Sequence, residues 1–120
     1  MAEELYKVID KLVTENSLNF RVKLNEKHPI FAGHFPGQPV MPGVCMVQMV
    51  KELLTQQLKE EVNLKQSRNL KFLSVIDPRK QQEVNLTIDY KKNDNDWEVN
   101  AKIFENETLF FKLEGGIFSL

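Results

Sequence analysis

The chain has 120 residues, 42% hydrophobic and 28% charged, with a formal net charge of −1. That is enough apolar material for one core under a solvated surface, so residues 1–120 are expected to form a single domain. The near-neutral charge excludes a general nucleic-acid binder, and the lack of any long apolar run excludes a spanning helix.

The N-terminus, MAEELYKVID, begins acidic and carries no continuous apolar stretch, so no secretory signal is expected there. One cysteine, Cys45, excludes an internal disulfide and fits a reducing compartment; a cytoplasmic location is expected. From Lys7 to Val13 the pattern leaves a strand and a short helix open. Leu18, Phe20, Val22 and Leu24 then alternate with Asn19, Arg21 and Lys23, which is the period of a half-buried strand.

Asn25 to Val44 is different in kind. It holds Pro29, Pro36, Pro39 and Pro42 with Gly33, Gly37 and Gly43. Proline fixes φ and removes a donor, while glycine permits close backbone approach. A stiff loop of this kind can hold one side chain in one geometry. His34 is that side chain, and an imidazole can move protons near neutral pH. The alternative is a histidine that merely bonds a loop carbonyl.

Val47, Val50, Leu54 and Leu58 recur at helical spacing, with Met46, Met49 and Leu53 beside them. The spacing predicts a helix over 44–58 with a broad apolar face. Pro42 suits its first turn, and Asn63 is the expected stop. The first N–H groups of such a helix lack carbonyl partners and carry the positive end of its dipole. The Gly43 N–H is therefore placed to polarise a ligand carbonyl, as an oxyanion hole does.

Leu70, Phe72 and Leu73 lead to the Asp77-Pro78 turn. Val84, Leu86, Ile88 and Tyr90 alternate; Asn93 to Asp96 turns the chain; Trp97, Val99, Ala101 and Ile103 alternate on the far side. Glu105-Asn106-Glu107 turns it again into a strand from Leu109 to Leu120. Antiparallel strands around one long helix make an α+β domain, with a curved sheet wrapped around that helix.

Asn25-Glu26 followed by HPIFAGHFPGQPVMPGV resembles the (3R)-hydroxyacyl-[acyl-carrier-protein] dehydratases of the hotdog fold. The likeness is greatest to small members related to the hydroxymyristoyl type and to aryl-polyene biosynthesis. Gly33 to Val44, GHFPGQPVMPGV, is the most specific part; the order of elements matches over nearly the whole chain.

The resemblance implies roles. His34 would abstract the α-proton of a 3-hydroxyacyl thioester, and Gly43 would donate its N–H to the thioester carbonyl. The family places an acid five residues after that glycine to protonate the leaving hydroxyl. Here that position is Gln48, an amide with no titratable proton. Glu52 lies one helical turn on, where related dehydratases often carry glutamine, so the carboxylate and the amide look exchanged. The other reading makes Glu52 a solvated carboxylate. Phe31, Phe35, Pro42 and Val44 would contact the acyl chain. Arg68 and Lys71 would meet the acidic carrier protein or the phosphate of coenzyme A; the other reading makes them an ordinary charged face. His28 reads as a turn residue and Cys45 as core.

No metal-ligand spacing is present, and no cofactor is implied. The family's pairing predicts a homodimer, or a larger assembly, with active sites between subunits. The alternatives to dehydration are a hotdog thioesterase, with Gln48 placing the water, and a non-catalytic thioester-binding subunit.

Overall fold

The structure, a computed structural model, describes residues 4–32 and 39–120. The strands are β1 (Tyr6–Val13), β2 (Ser17–Leu24), β3 (Asn63–Gln66), β4 (Asn69–Phe72), β5 (Glu83–Asn93), β6 (Asp96–Glu105) and β7 (Thr108–Ser119). The helices are the single turn α1 (Pro29–Ala32) and the long α2 (Gly43–Leu58). All seven strands join one antiparallel sheet in the order β1-β2-β5-β6-β7, with β3 and β4 both set against the far side of β7. This is the antiparallel sheet with one long helix expected from the strand periods, and the hotdog arrangement that the resemblance implies.

Alternation decides which face of the sheet meets the helix. Leu18, Phe20, Val22 and Leu24 of β2 are buried, as are Val84, Leu86 and Ile88 of β5 and Val99, Ala101 and Ile103 of β6. Met46, Met49, Val50, Leu53 and Leu54 of α2 join them in one core, and the described residues include no buried polar or charged residue. Removing that apolar surface from water is the main stabilising term.

The Lys7–Val13 segment resolves as a strand. It lay open because its apolar residues, Val8, Ile9, Leu12 and Val13, fall on both faces and are exposed in the chain. The helix ends earlier than the Asn63 expected. Lys59 adopts a left-handed conformation (φ 60°) and its N–H donates to the Thr55 carbonyl, which closes the last turn. Asn63 instead opens β3, an element the sequence pattern did not show. Pro42 stands one residue before the first helical turn, as its N-cap.

The β6–β7 ladder shifts register twice, and the shift nearer the end of β7 changes which residues it buries. Val99 faces Gly116 while Ala101 faces Leu113, so β7 carries one extra residue there. Gly115 takes that place with φ +60°, and its N–H donates to Oδ1 of Asn100 at 2.9 Å. The insertion reverses the phase of alternation, so that Phe118 returns to the buried face already occupied by Phe111 and Leu113.

On the outer face, Arg21 of β2 forms a two-toothed pair with Glu105 (2.7 and 2.8 Å) and a further bond to Glu83 at 3.0 Å. The Arg21 guanidinium holds the Glu105 carboxyl below the usual carboxylate range, and Arg79 does the same for Asp77. A carboxyl whose folded pKa is depressed adds stability above its unfolded value and loses it as pH falls through the folded value. The melting temperature is therefore expected to fall once pH drops below about 4. Arg21→Leu should flatten that fall, as measured by circular dichroism melts across pH. A slope equal to wild type would show that the pair contributes nothing.

Candidate active site

The start of α2 is built around a close approach. A Cβ added to Gly43 would stand 2.8 Å from two atoms of the Phe72 ring. Only glycine lets β4 lay that ring on the first turn of the helix. The ring is half exposed and leans on the buried Phe111, with centroids 5.5 Å apart.

One and two turns along, the exposed side of α2 carries the amide and the carboxylate. Gln48 Nε2 donates to Glu52 Oε2 at 3.2 Å. The Tyr6 hydroxyl, on β1, donates to Glu52 Oε1 at 2.9 Å. Both carboxylate oxygens of Glu52 thus accept a bond, and Glu52 is partly buried rather than free in solvent. Lys51, its neighbour, turns away to Glu61. The solvated reading of Glu52 does not describe this geometry. Burial, reinforced by the Glu52 carboxylate, pushes the Tyr6 phenol above the ordinary tyrosine range, so it keeps its proton and remains a donor.

These groups line a groove of about 470 Å³ between the start of β1 and α2, whose walls include Tyr6, His28, Ile30, Cys45, Gln48 and Glu52. Apolar wall with a few converging polar groups is the usual make-up of a small-molecule site. A larger, more open hollow of about 680 Å³ adjoins it, lined by Lys7, Lys23, Glu26 and Lys27 among others. It mixes charges of both signs and lacks the paired carboxylate and amide, so the smaller groove is the better candidate.

The remaining site residues are placed as follows. His34 and Phe35 lie outside the described residues. Phe31 is buried in the core and does not line the groove. Pro42 is half-buried and Val44 exposed at the helix start. Arg68 precedes β4 and packs on Gly115. Lys71 alternates with Phe72, so it belongs to the opposite face of the sheet, paired with Lys112 in register. His28 Nδ1 accepts the Ile30 N–H at 3.0 Å, which is the turn role expected of it, although its ring also reaches the groove. Cys45 is buried, and burial pushes its thiol up, which suits packing and not nucleophilic use. Among the described residues no cluster of His, Cys, Asp or Glu could hold a metal. No helix among them is long and apolar enough to cross a membrane.

Tyr6 is the residue that sequence reasoning missed. It stands 46 positions from Glu52, in a segment without a clear period, and only the pairing of β1 with β2 brings it to the helix.

A family model described as ApeI-like, ApeI dehydratase, matches residues 10–109. The chain belongs to the ApeI-like dehydratase family. The 3-hydroxyacyl-[acyl-carrier-protein] dehydratase FabZ of Rickettsia bellii is 36% identical over 90 residues, 68% of this chain. That of Rickettsia felis is 32% identical over 103 residues, 76% of this chain. The match spans 60% of the length of the Rickettsia bellii protein. Among solved structures, the dehydratase heterocomplex ApeI:P from Xenorhabdus doucetiae superposes with a TM-score of 0.72 at 18% identity, covering 94% of this chain and 95% of that one. An uncharacterized protein from Erwinia carotovora subsp. atroseptica gives 0.64 at 22% identity, covering 95% and 90%. These likenesses establish the hotdog fold of the ApeI-like chain.

Proposed function

We propose that the protein removes water from a (3R)-hydroxyacyl thioester carried on acyl carrier protein, leaving the trans-2-enoyl thioester. Residues 1–120 act as one domain, in the cytoplasm. The observation that carries this reading is the Gln48–Glu52 pair: the family's acid and amide, in exchanged order, held 3.2 Å apart on the wall of one groove. Family membership and the FabZ relatives support the reaction class.

In this mechanism His34 takes the α-proton while the Gly43 N–H bonds the thioester oxygen, where negative charge develops. Glu52 passes a proton to the departing hydroxyl through a bridging water, since it stands one turn, ~5.4 Å, beyond Gln48, which orients that hydroxyl. The C–O bond breaks, water leaves, and the proton that His34 took reaches Glu52 through solvent, which restores both groups. Phe35, Pro42 and Val44 contact the acyl chain; Phe31 is buried in the core. Arg68, beside Gly115, receives the carrier, or the phosphate of a coenzyme A thioester; Lys71, on the other face of the sheet, does not.

A homodimer completes the site. Val44, Phe72, Leu73 and Val75 are large, apolar and exposed, and the described residues leave the outer edge of β4 without a strand. A second copy covering that edge would bury them and protect its free backbone groups.

The test is to incubate the protein with a 3-hydroxyacyl carrier-protein substrate and follow the mass of the acyl group. Loss of one water is expected, and His34→Ala should lower the rate by about 10²–10⁴-fold. Free thiol without enoyl product would instead identify a thioesterase. Tight binding without turnover would identify a non-catalytic subunit. Dehydration that survives in His34→Ala would remove the mechanism.

A further inference from the structure

We propose that Tyr6 is a positioning residue for Glu52, locking the carboxyl so that it faces the substrate groove; this rests on the dehydratase reading above. The strand that carries it has little other business with the helix. Of the eight residues in β1, Tyr6 alone is half-buried and the following seven are exposed. Its phenol nonetheless crosses to α2 and meets Oε1 of Glu52 at 2.9 Å.

The backbone behind Tyr6 is fixed. Asn25 N–H donates to the Leu5 carbonyl at 2.9 Å, and Asn25 Nδ2 donates to the Glu4 carbonyl at 3.0 Å. Tyr6 itself faces Leu24 in the β1–β2 ladder. The donor is thus set before any substrate arrives, which is what preorganisation requires. Gln48 holds the second oxygen. A carboxyl gripped at both oxygens cannot swing about its last side-chain bonds, as an exposed glutamate does.

The arrangement also favours the chemistry asked of Glu52. As the acid gives its proton to the leaving hydroxyl, negative charge develops on its two oxygens. Each oxygen already faces a donor, Tyr6 O–H or Gln48 N–H, so that charge is met without rearrangement. The phenol keeps its own proton throughout and contributes only the bond. Tyr6 touches Glu52 and not the reacting atoms, so its effect runs through the carboxyl.

Tyr6→Phe removes one oxygen and keeps the ring. It should lower kcat for dehydration about tenfold with KM changed less than about twofold, because misplacing a catalytic group slows the chemical step. In a Glu52→Gln background the same change should have no further effect on kcat. A wild-type protein that dehydrates, with Tyr6→Phe equally fast, would overturn this inference and leave the dehydratase reading standing. An equal loss in both backgrounds would mark Tyr6 as merely structural and overturn it too. A wild-type protein that does not dehydrate removes both. Should Tyr6→Phe fail to fold, 3-fluorotyrosine labelling of the two tyrosines, Tyr6 and Tyr90, gives a second readout. One ¹⁹F resonance should move on Glu52→Gln; if neither moves, the phenol does not hold the carboxylate in solution and the inference fails.

Discussion

Glu52→Gln is expected to cut kcat for dehydration by about 10²–10⁴-fold, the usual contribution of a general acid. The replacement is nearly isosteric. It still offers an oxygen to the Tyr6 hydroxyl, so the helix and the groove should keep their shape, and the melting temperature should change little. What it removes is the only carboxyl in the Tyr6–Glu52–Gln48 chain of hydrogen bonds. In barrier terms the loss is roughly 2.7–5.5 kcal/mol, since each tenfold in rate is worth about 1.4 kcal/mol. The double exchange, Gln48→Glu with Glu52→Gln, puts the acid where the family pattern has it. It should recover part of the rate, because the helix carries both groups on one side a turn apart. Steady-state rates of enoyl formation for the single and double variants decide the matter. A single variant at wild-type rate would show that Glu52 gives no proton in this reaction.

The helical face was readable from residue types alone, because spacing within one helix is local. Gln48 and Glu52 four residues apart imply adjacency, and the 3.2 Å bond is that adjacency realised. The strands β2, β5 and β6 were readable for the same reason: period-two alternation needs no knowledge of the partner. Tyr6 was not readable. Its place at Glu52 depends on β1 pairing with β2 and on the Asn25 clamp, contacts of long range. The bulge at Gly115 was hidden too, because it depends on what lies opposite, the Asn100 side chain. Asn63 misled as a helix stop because the left-handed residue that ends α2 is Lys59, a residue type that seldom takes that conformation.

The exchanged pair and the Phe72 ring describe two ends of the same helix surface. At Gly43 the helix start is fitted to β4 through the ring; at Glu52 it is fitted to β1 through Tyr6. The two strands lie toward opposite edges of the sheet order, so the helix is tied across its whole width. Gly43 and Glu52, about 13.5 Å apart along the axis of α2, thus stand on a frame whose span is set by the sheet and not by a loop. That is the form of support that holds catalytic groups in fixed relation.

Phe111→Ala is expected to cost about 3–5 kcal/mol, the range for removing a large buried aromatic. Phe111 is fully buried, and it stands on β7 between Ile103 of β6 and Phe72 of β4. Its loss opens a void that the sheet cannot close, since both flanking strands are held by their ladders. Domains of this size are stable by only about 5–15 kcal/mol, so the change takes a large share. The melting temperature should fall by roughly 10–25 °C. Phe72→Ala should cost far less, because that ring is 50% exposed. The two variants separate stability from function: Phe111→Ala removes the surface on which the Phe72 ring rests, while Phe72→Ala uncovers Gly43 and leaves the core intact. Thermal melts of both, followed by circular dichroism, provide the check. A Phe111→Ala protein that melts within a few degrees of wild type would mean that β7 is not the packed centre of this sheet.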